Sequence, residues 1–125
     1  MQDTTKLFRQ VHPQWFKNGH VMSVAFRPTT KDAGLLSVYD GDQIAPKPSW
    51  EHYTKTLGLK SAGVWAVTVA ECASCNLPAR PEPLENFAAH SVIDFTSLAK
   101  KDQEAQSKIL ATIAEERGCL FSSPE

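Results

Sequence analysis

Gly63-Val64-Trp65-Ala66-Val67-Thr68-Val69 is the stretch on which the fold turns. It is nearly continuous in Val and Trp, without polar alternation. Such a run suggests a strand buried on both faces, hence a central place in a sheet. Thr68-Val69-Ala70-Glu71 then has the spacing of a capping box, in which Thr accepts from the third amide and Glu reaches back. A short helix reaching Asn76 follows from it.

Working outward toward the N-terminus, Lys6–Val11 reads as a first strand stopped by Pro13, and Asn18-Gly19 is a strong turn signal. His20–Phe26 reads as a second strand and Leu35–Tyr39 as a third, with a polar loop at 29–34 between them and a turn at Asp40-Gly41-Asp42. Pro46 and Pro48 lead to Ser49, the expected N-cap of a short helix through Thr56 that ends near Gly58. Toward the C-terminus, Pro78, Pro81 and Pro83 predict an extended, irregular connector, and Ala88–Phe95 a last major strand. Thr96 or Ser97 is the expected cap of a long helix to Arg117, closed by Gly118. Leu98, Ala105, Ile109, Leu110, Ile113 and Ala114 are its expected apolar side. Cys119-Leu120-Phe121 either tucks back or adds an edge strand. Strands do not alternate regularly with long helices. The expected class is therefore α+β, one globular domain over residues 1–125, with a curved, mostly antiparallel sheet of about five strands and the C-terminal helix packed on one face.

Composition bounds the function. With 125 residues, 42% of them hydrophobic and 22% charged, the chain can bury a core without a disulfide or metal staple. Thirteen Lys+Arg against fourteen Asp+Glu give a net charge of −1, which argues against an extended nucleic-acid face. The first five residues lack the character of a secretory signal, and the apolar run 62–70 falls far short of the ~20 residues of a membrane helix. With three cysteines, an odd number, the expected setting is a reducing cytosol. Motifs for phosphate loops, dinucleotide binding, zincin proteases and ordinary serine hydrolases are absent from the sequence.

Three constellations remain. Arg9, His12, Arg27, Ser37 and Tyr39, from three neighbouring strands, with His90 on a fourth, are the candidate ligand-binding residues. Polar groups set among apolar strand residues cost desolvation unless they have partners or line a cleft. His12, Ser37 and His90 are the candidates for catalysis, since a histidine exchanges protons near neutral pH and a serine or tyrosine hydroxyl can position a substrate. Alternation along the first strand puts Arg9 with Leu7 and Val11, and His12 with Phe8 and Gln10, so the two face apart unless Pro13 bends the strand end. The purely structural alternative has Arg9 and Arg27 in surface ion pairs and His12 bonded to backbone. Cys72-Ala73-Ser74-Cys75 supplies half of a zinc site, but His52, His90 or Cys119 would have to converge to complete it, and burial of two small thiols is preferred. Asp40-Gly41-Asp42, with Asp32 upstream, is foremost a turn. No metal and no cofactor is expected. Trp15-Phe16 is a candidate exposed aromatic pair.

These residues resemble a group of short, uncharacterised bacterial proteins that share an Arg-x-x-His-Pro opening (Arg9, His12, Pro13), a Ser-x-x-Phe segment (Ser23, Phe26), a Leu-Ser-Val strand (Leu36, Ser37, Val38) and a Pro-rich loop leading to His and aliphatics (Pro81, Pro83, His90, Val92, Ile93). The resemblance covers most of residues 7–95 and implies a compact bacterial domain. A fainter similarity runs to the ADP-ribosyltransferase-like fold, in which a strand-borne Arg or His, a strand-borne Ser or Tyr and a late acidic residue surround NAD. That similarity implies roles for Arg9 or His12 and for Ser37 or Tyr39, whereas the last strand offers only Asp94 as the acid. Three functions follow as expectations. The first is a small cytosolic binding or accessory module holding an anionic small molecule, a nucleotide-like group or a partner's acidic segment. The second is a nucleotide-using transferase or hydrolase. The third is a toxin–antitoxin or defence-operon protein, acting on a protein partner through the C-terminal helix around Lys100, Lys101 and Glu104.

Overall fold

In the computed structural model, which describes residues 1–124, the chain is α+β. Six strands, β1 (Lys6–Val11), β4 (Leu35–Asp40), β5 (Gly63–Thr68), β6 (Ala79–Pro81), β7 (His90–Asp94) and β8 (Phe121–Ser122), form one sheet in the order β6-β7-β4-β1-β5-β8. Every pairing is antiparallel. A separate hairpin joins β2 (Phe16–Lys17) to β3 (His20–Val21). Its turn residues Asn18 and Gly19 both have positive φ, 54° and 79°, the geometry that matches strand twist in a two-residue turn.

Two layers of apolar side chains bury most of the central strands. On one face Leu7, Val11, Leu36, Val38, Trp65, Val67 and Ile93 pack with Leu110, Ala111 and Ala114 of the long helix α3 (Lys100–Arg117). On the other face Phe8, Tyr39, Val64 and Ala66 pack with Trp50 and Tyr53 from the segment that begins as α1 (Pro46–Glu51). β5 is therefore covered on both sides, as its unbroken Val-Trp-Ala-Val run requires. It stands next to the border rather than at the centre, however, since β8 pairs with it only at Gly63 and Val64. The two central positions belong to β4 and β1.

The capping box forms as the spacing implies. Thr68 Oγ1 accepts from the Glu71 amide at 3.2 Å and Glu71 accepts from the Thr68 amide at 2.7 Å, opening α2 (Val69–Ser74). Glu71 also receives a two-pronged contact from Arg117, at 2.8 and 2.9 Å, which ties the end of α3 to the start of α2. The Arg117 guanidinium, above all, holds the Glu71 carboxyl below its ordinary range.

Several boundaries differ from the sequence reading. Of His20–Phe26 only His20–Val21 is a strand; Ser23–Phe26 is a 3-10 turn that buries the consecutive Ala25 and Phe26, which an alternating strand would send to opposite faces. Helix α1 starts at Pro46, whose fixed φ suits the first helical position, so Ser49 lies inside the helix and donates to the Pro46 carbonyl at 2.6 Å. The Pro-rich segment is not wholly irregular: Ala79–Pro81 is an edge strand, the place in a sheet where a missing N–H is tolerated. Thr96 does not cap α3; its amide and hydroxyl turn back to the Asp94 carboxylate, and the helix begins after Ala99 with no side-chain cap. Along α3, Ala105 is exposed and Ile109 is 45% exposed, while Ser107 and Ala111 are buried. The inward stripe 107-110-111-114 follows helical spacing from Leu110, which leaves position 105 well off that side.

The Arg117–Glu71 clamp makes a stability prediction. Arg117→Met should lower unfolding free energy at neutral pH by about 2 kcal/mol, the scale of a charge-assisted hydrogen bond. A carboxyl whose folded pKa is depressed contributes stability that is complete above its ordinary value and lost as pH falls through the folded one. Urea unfolding of the wild type from pH 7 to 3 should therefore show a loss that is smaller in the variant.

Candidate ligand cavity

The candidate site grows from a missing stretch of β-ladder. β1 and β4 pair only at Leu7–Asp40 and Phe8–Tyr39, although β4 stays paired with β7 back to Leu35. Where β1 and β4 part, Arg9 supplies the bonds that the backbone does not. Its Nε donates to the Ala25 carbonyl at 2.6 Å and its Nη1 to the Ser37 carbonyl at 2.9 Å. Its guanidinium carbon lies 5.6 Å from the centroid of the Trp15 ring. Among the described residues no carboxylate forms an ion pair with Arg9. Burial pulls its pKa below the ordinary arginine value, with Tyr53 and Asp32 offsetting part of that. Arginine nevertheless stays charged.

This guanidinium borders a cavity of about 670 Å³, bounded also by Ser37, Tyr39 and His90 from the sheet and by His52, Tyr53 and Phe87 from the connections. The size falls within the range typical of small-molecule sites. One wall is an aromatic assembly: the His52 ring stacks on Phe87 at 3.9 Å and 4°. Tyr39 meets Phe87 edge-on at 5.1 Å, and its hydroxyl lies 2.8 Å from His52 Nδ1. Burial raises the Tyr39 phenol and lowers the His52 imidazole, so both groups are held in their neutral forms. Beside Tyr39 the sheet surface carries a second polar pair. His90 Nδ1 is 2.7 Å from the Glu82 carbonyl and His90 Nε2 is 3.2 Å from Ser37 Oγ. Leu57, Leu59 and Leu84, each about half exposed at 51%, 48% and 52%, rim the opening.

Local sequence explains how the aromatic wall is placed. After Glu51 the α1 helix widens into a π-helical turn, His52–Thr56, closed by the Leu57 amide on the His52 carbonyl at 3.0 Å. Such turns carry an inserted residue and recur at functional sites. Gly58, at φ +69°, ends the segment. Opposite it, Leu84 and Phe87 exchange both backbone hydrogen bonds around a two-residue turn in which Asn86 has φ 68°. That turn presents Phe87 to His52.

The structure thus brings Arg9, Ser37, Tyr39 and His90 to one cavity and leaves the other two sequence candidates outside it. Arg27 borders a different concavity and pairs with Glu104 at 3.5 Å. His12 accepts from the Gln14 amide at 3.0 Å and lies 5.6 Å from the Trp15 ring. Both follow the purely structural alternative. His12 lies just past the end of β1, at the start of the Pro13–Trp15 turn, and of the two only Arg9 borders the cavity. Trp15 and Phe16 are half-buried rather than an exposed pair, with Phe16 against Trp65 at 5.1 Å. The sequence reading named His52 only as a distant partner for a zinc site and did not select Tyr53 or Phe87; the dense Trp50-Glu51-His52-Tyr53 segment was the available signal.

The other constellations are engaged or buried locally. Cys72 and Cys75 are buried free thiols, and burial pushes the Cys72 thiol up to about 12. Asp40 accepts from the Asp42 amide at 2.8 Å and from Gln43, while Thr5 donates to Asp42, so the Asp-Gly-Asp turn is satisfied internally. No group of three or more metal-ligating side chains occurs among the described residues. Asp94 is bound by Arg80 and Thr96 and does not border the cavity, whose carboxylates are Asp32 and Glu85. Among those residues, too, no helix is long and apolar enough to cross a membrane. Comparison with protein-family models, with curated proteins and with solved structures found no match.

The stacked wall makes a spectroscopic prediction. His52 should titrate below the ordinary histidine value in an NMR pH series. Phe87→Ala, which opens one ring face to water, should move it back up toward that value. An unchanged His52 titration in the variant would show that the stack does not shield it.

Proposed function

We propose that the cavity binds a small anion that carries a flat or apolar body, a nucleotide-like or aryl-carboxylate compound among them. One observation carries this reading: a largely buried arginine with no carboxylate partner, bordering a cavity with aromatic walls. A planar guanidinium has five N–H donors, and Arg9 spends two on main-chain carbonyls. The remaining donors suit a carboxylate or phosphate, which they can bind through two parallel hydrogen bonds. The Phe87–His52 stack and the leucine rim supply the surface for the rest of the ligand. A binding or accessory module therefore remains the favoured reading. An NAD-cleaving transferase is a weaker one, because Asp94, the late carboxylate that chemistry would use, is engaged by Arg80 outside the cavity.

Nucleoside monophosphates and aryl carboxylates, each beside its uncharged counterpart, provide the test by thermal shift and calorimetry. At least one anionic compound should stabilise the folded chain, by about 2.7 kcal/mol at a hundredfold excess over its Kd, and its neutral counterpart should not. Arg9→Gln and Phe87→Ala should each weaken binding at least tenfold while remaining folded by circular dichroism. Arg27→Ala should bind normally. A panel with no binder, or one whose binder is lost with Arg27, would remove the proposal.

A further inference from the structure

Within the cavity the hydrogen bonds around His90 have a direction. The Glu82 carbonyl can only accept, so the proton of neutral His90 lies on Nδ1, 2.7 Å from that oxygen. Nε2 is left with its lone pair, 3.2 Å from the Ser37 hydroxyl, which must then donate to it. The Glu82 carboxylate stands a further step away, 3.9 Å from Nδ1. A hydroxyl facing a neutral imidazole, whose far nitrogen is held by an acceptor, is the arrangement that activates a serine. The pairing also follows from register: Ser37 opposes Val92 and Tyr39 opposes His90, so Ser37 and His90 are diagonal neighbours on one sheet face. Ser37 is exposed, and the charged Arg9 side chain is anchored on its own carbonyl.

We propose that Ser37 is a nucleophile activated by His90, and that the protein hydrolyses carboxylic esters bearing a carboxylate or phosphate elsewhere in the molecule. The substrate class, though not the nucleophile, rests on the anion-binding reading above. Ser37 Oγ attacks the ester carbonyl carbon while its proton passes to His90 Nε2. The bond from that carbon to the alkoxy oxygen breaks, and the departing alcohol takes the proton from Nε2. Water then attacks the acyl-serine, giving a proton to Nε2, and the carbon–Oγ bond breaks. Ser37 Oγ recovers that proton, and a carboxylic acid leaves. Arg9 holds the substrate's anionic group, and the stacked His52–Phe87 wall receives its apolar part.

The full-length chain treated with an alkyl fluorophosphonate provides the test, read by intact mass and peptide mapping. One adduct on Ser37 is expected, absent from Ser37→Ala and formed about a hundredfold more slowly in His90→Gln, the low end of what general-base assistance supplies. Circular dichroism confirms that each variant is folded. Hydrolysis of the p-nitrophenyl monoester of succinic acid should exceed that of p-nitrophenyl butyrate, and Arg9→Gln should erase the difference. No adduct on folded wild-type protein, or equal labelling rates with and without His90, would overturn the nucleophile even if the anionic panel still binds. Ser37 labelling that persists in Arg9→Gln with no preference for the anionic ester in any form would instead overturn the substrate class.

Discussion

A single guanidinium stands where two strands stop pairing, and much of the molecule is arranged around it. Arg9 replaces ladder hydrogen bonds between β1 and β4 with side-chain bonds to Ser37 and, across to the 3-10 turn, Ala25. An ordinary continuation of the ladder would close the sheet here and leave no opening. With arginine in its place the backbone carbonyls are satisfied, yet no carboxylate is in ion-pair contact with the positive charge beside the hollow, and Asp32 offsets only part of its burial. Burial of a charge without a close partner is costly, and proteins retain such groups where something else makes use of them.

The rest of the fold holds the two sides of that opening apart. On one side, α3 and the Ser23–Phe26 turn press against the sheet, with Phe26, Leu110 and Ala114 fully buried. On the other, the α1 segment is fastened by a buried polar relay: Gln10 Nε2 donates to Ser49 Oγ at 3.1 Å, and Ser61 Oγ donates to Gln10 Oε1 at 2.9 Å. Satisfied networks of this kind fix one packing among many. Here the relay fixes where α1 lies, and so where the π-helical turn delivers His52 and Tyr53. Position is passed from core to cavity through a few directional bonds.

Architecture was legible in the sequence wherever local chemistry and long-range packing agree. The strands around Phe8, Val38 and Val67, the Asn18-Gly19 turn and the Thr68–Glu71 box are all of that kind, because each is specified within a few residues. Where packing decided, legibility failed: Ser23–Phe26 has strand-like composition but turns, since Ala25 and Phe26 both go inward under α3. For the site the limit was different. Residues projecting from strands, such as Ser37, Tyr39 and His90, could be selected from alternation and polarity. His52 and Phe87 could not, because their meeting depends on the width of one helical turn and the closure of one two-residue loop. Arg27 has the same residue type as Arg9, yet it borders a different concavity and pairs with Glu104, 77 positions along the chain.

The borders of the sheet carry one more implication. At one margin stands Ala79-Arg80-Pro81, at the other the two residues Phe121 and Ser122. A foreign strand seeking backbone partners would meet a proline and a charge on the first side and almost no length on the second. The interior of this sheet is rich in Val, Leu and Phe, the composition that makes exposed strands adhere to one another. Its ends deny that composition a template, so crowding should drive these molecules into fibrils only after unfolding has begun.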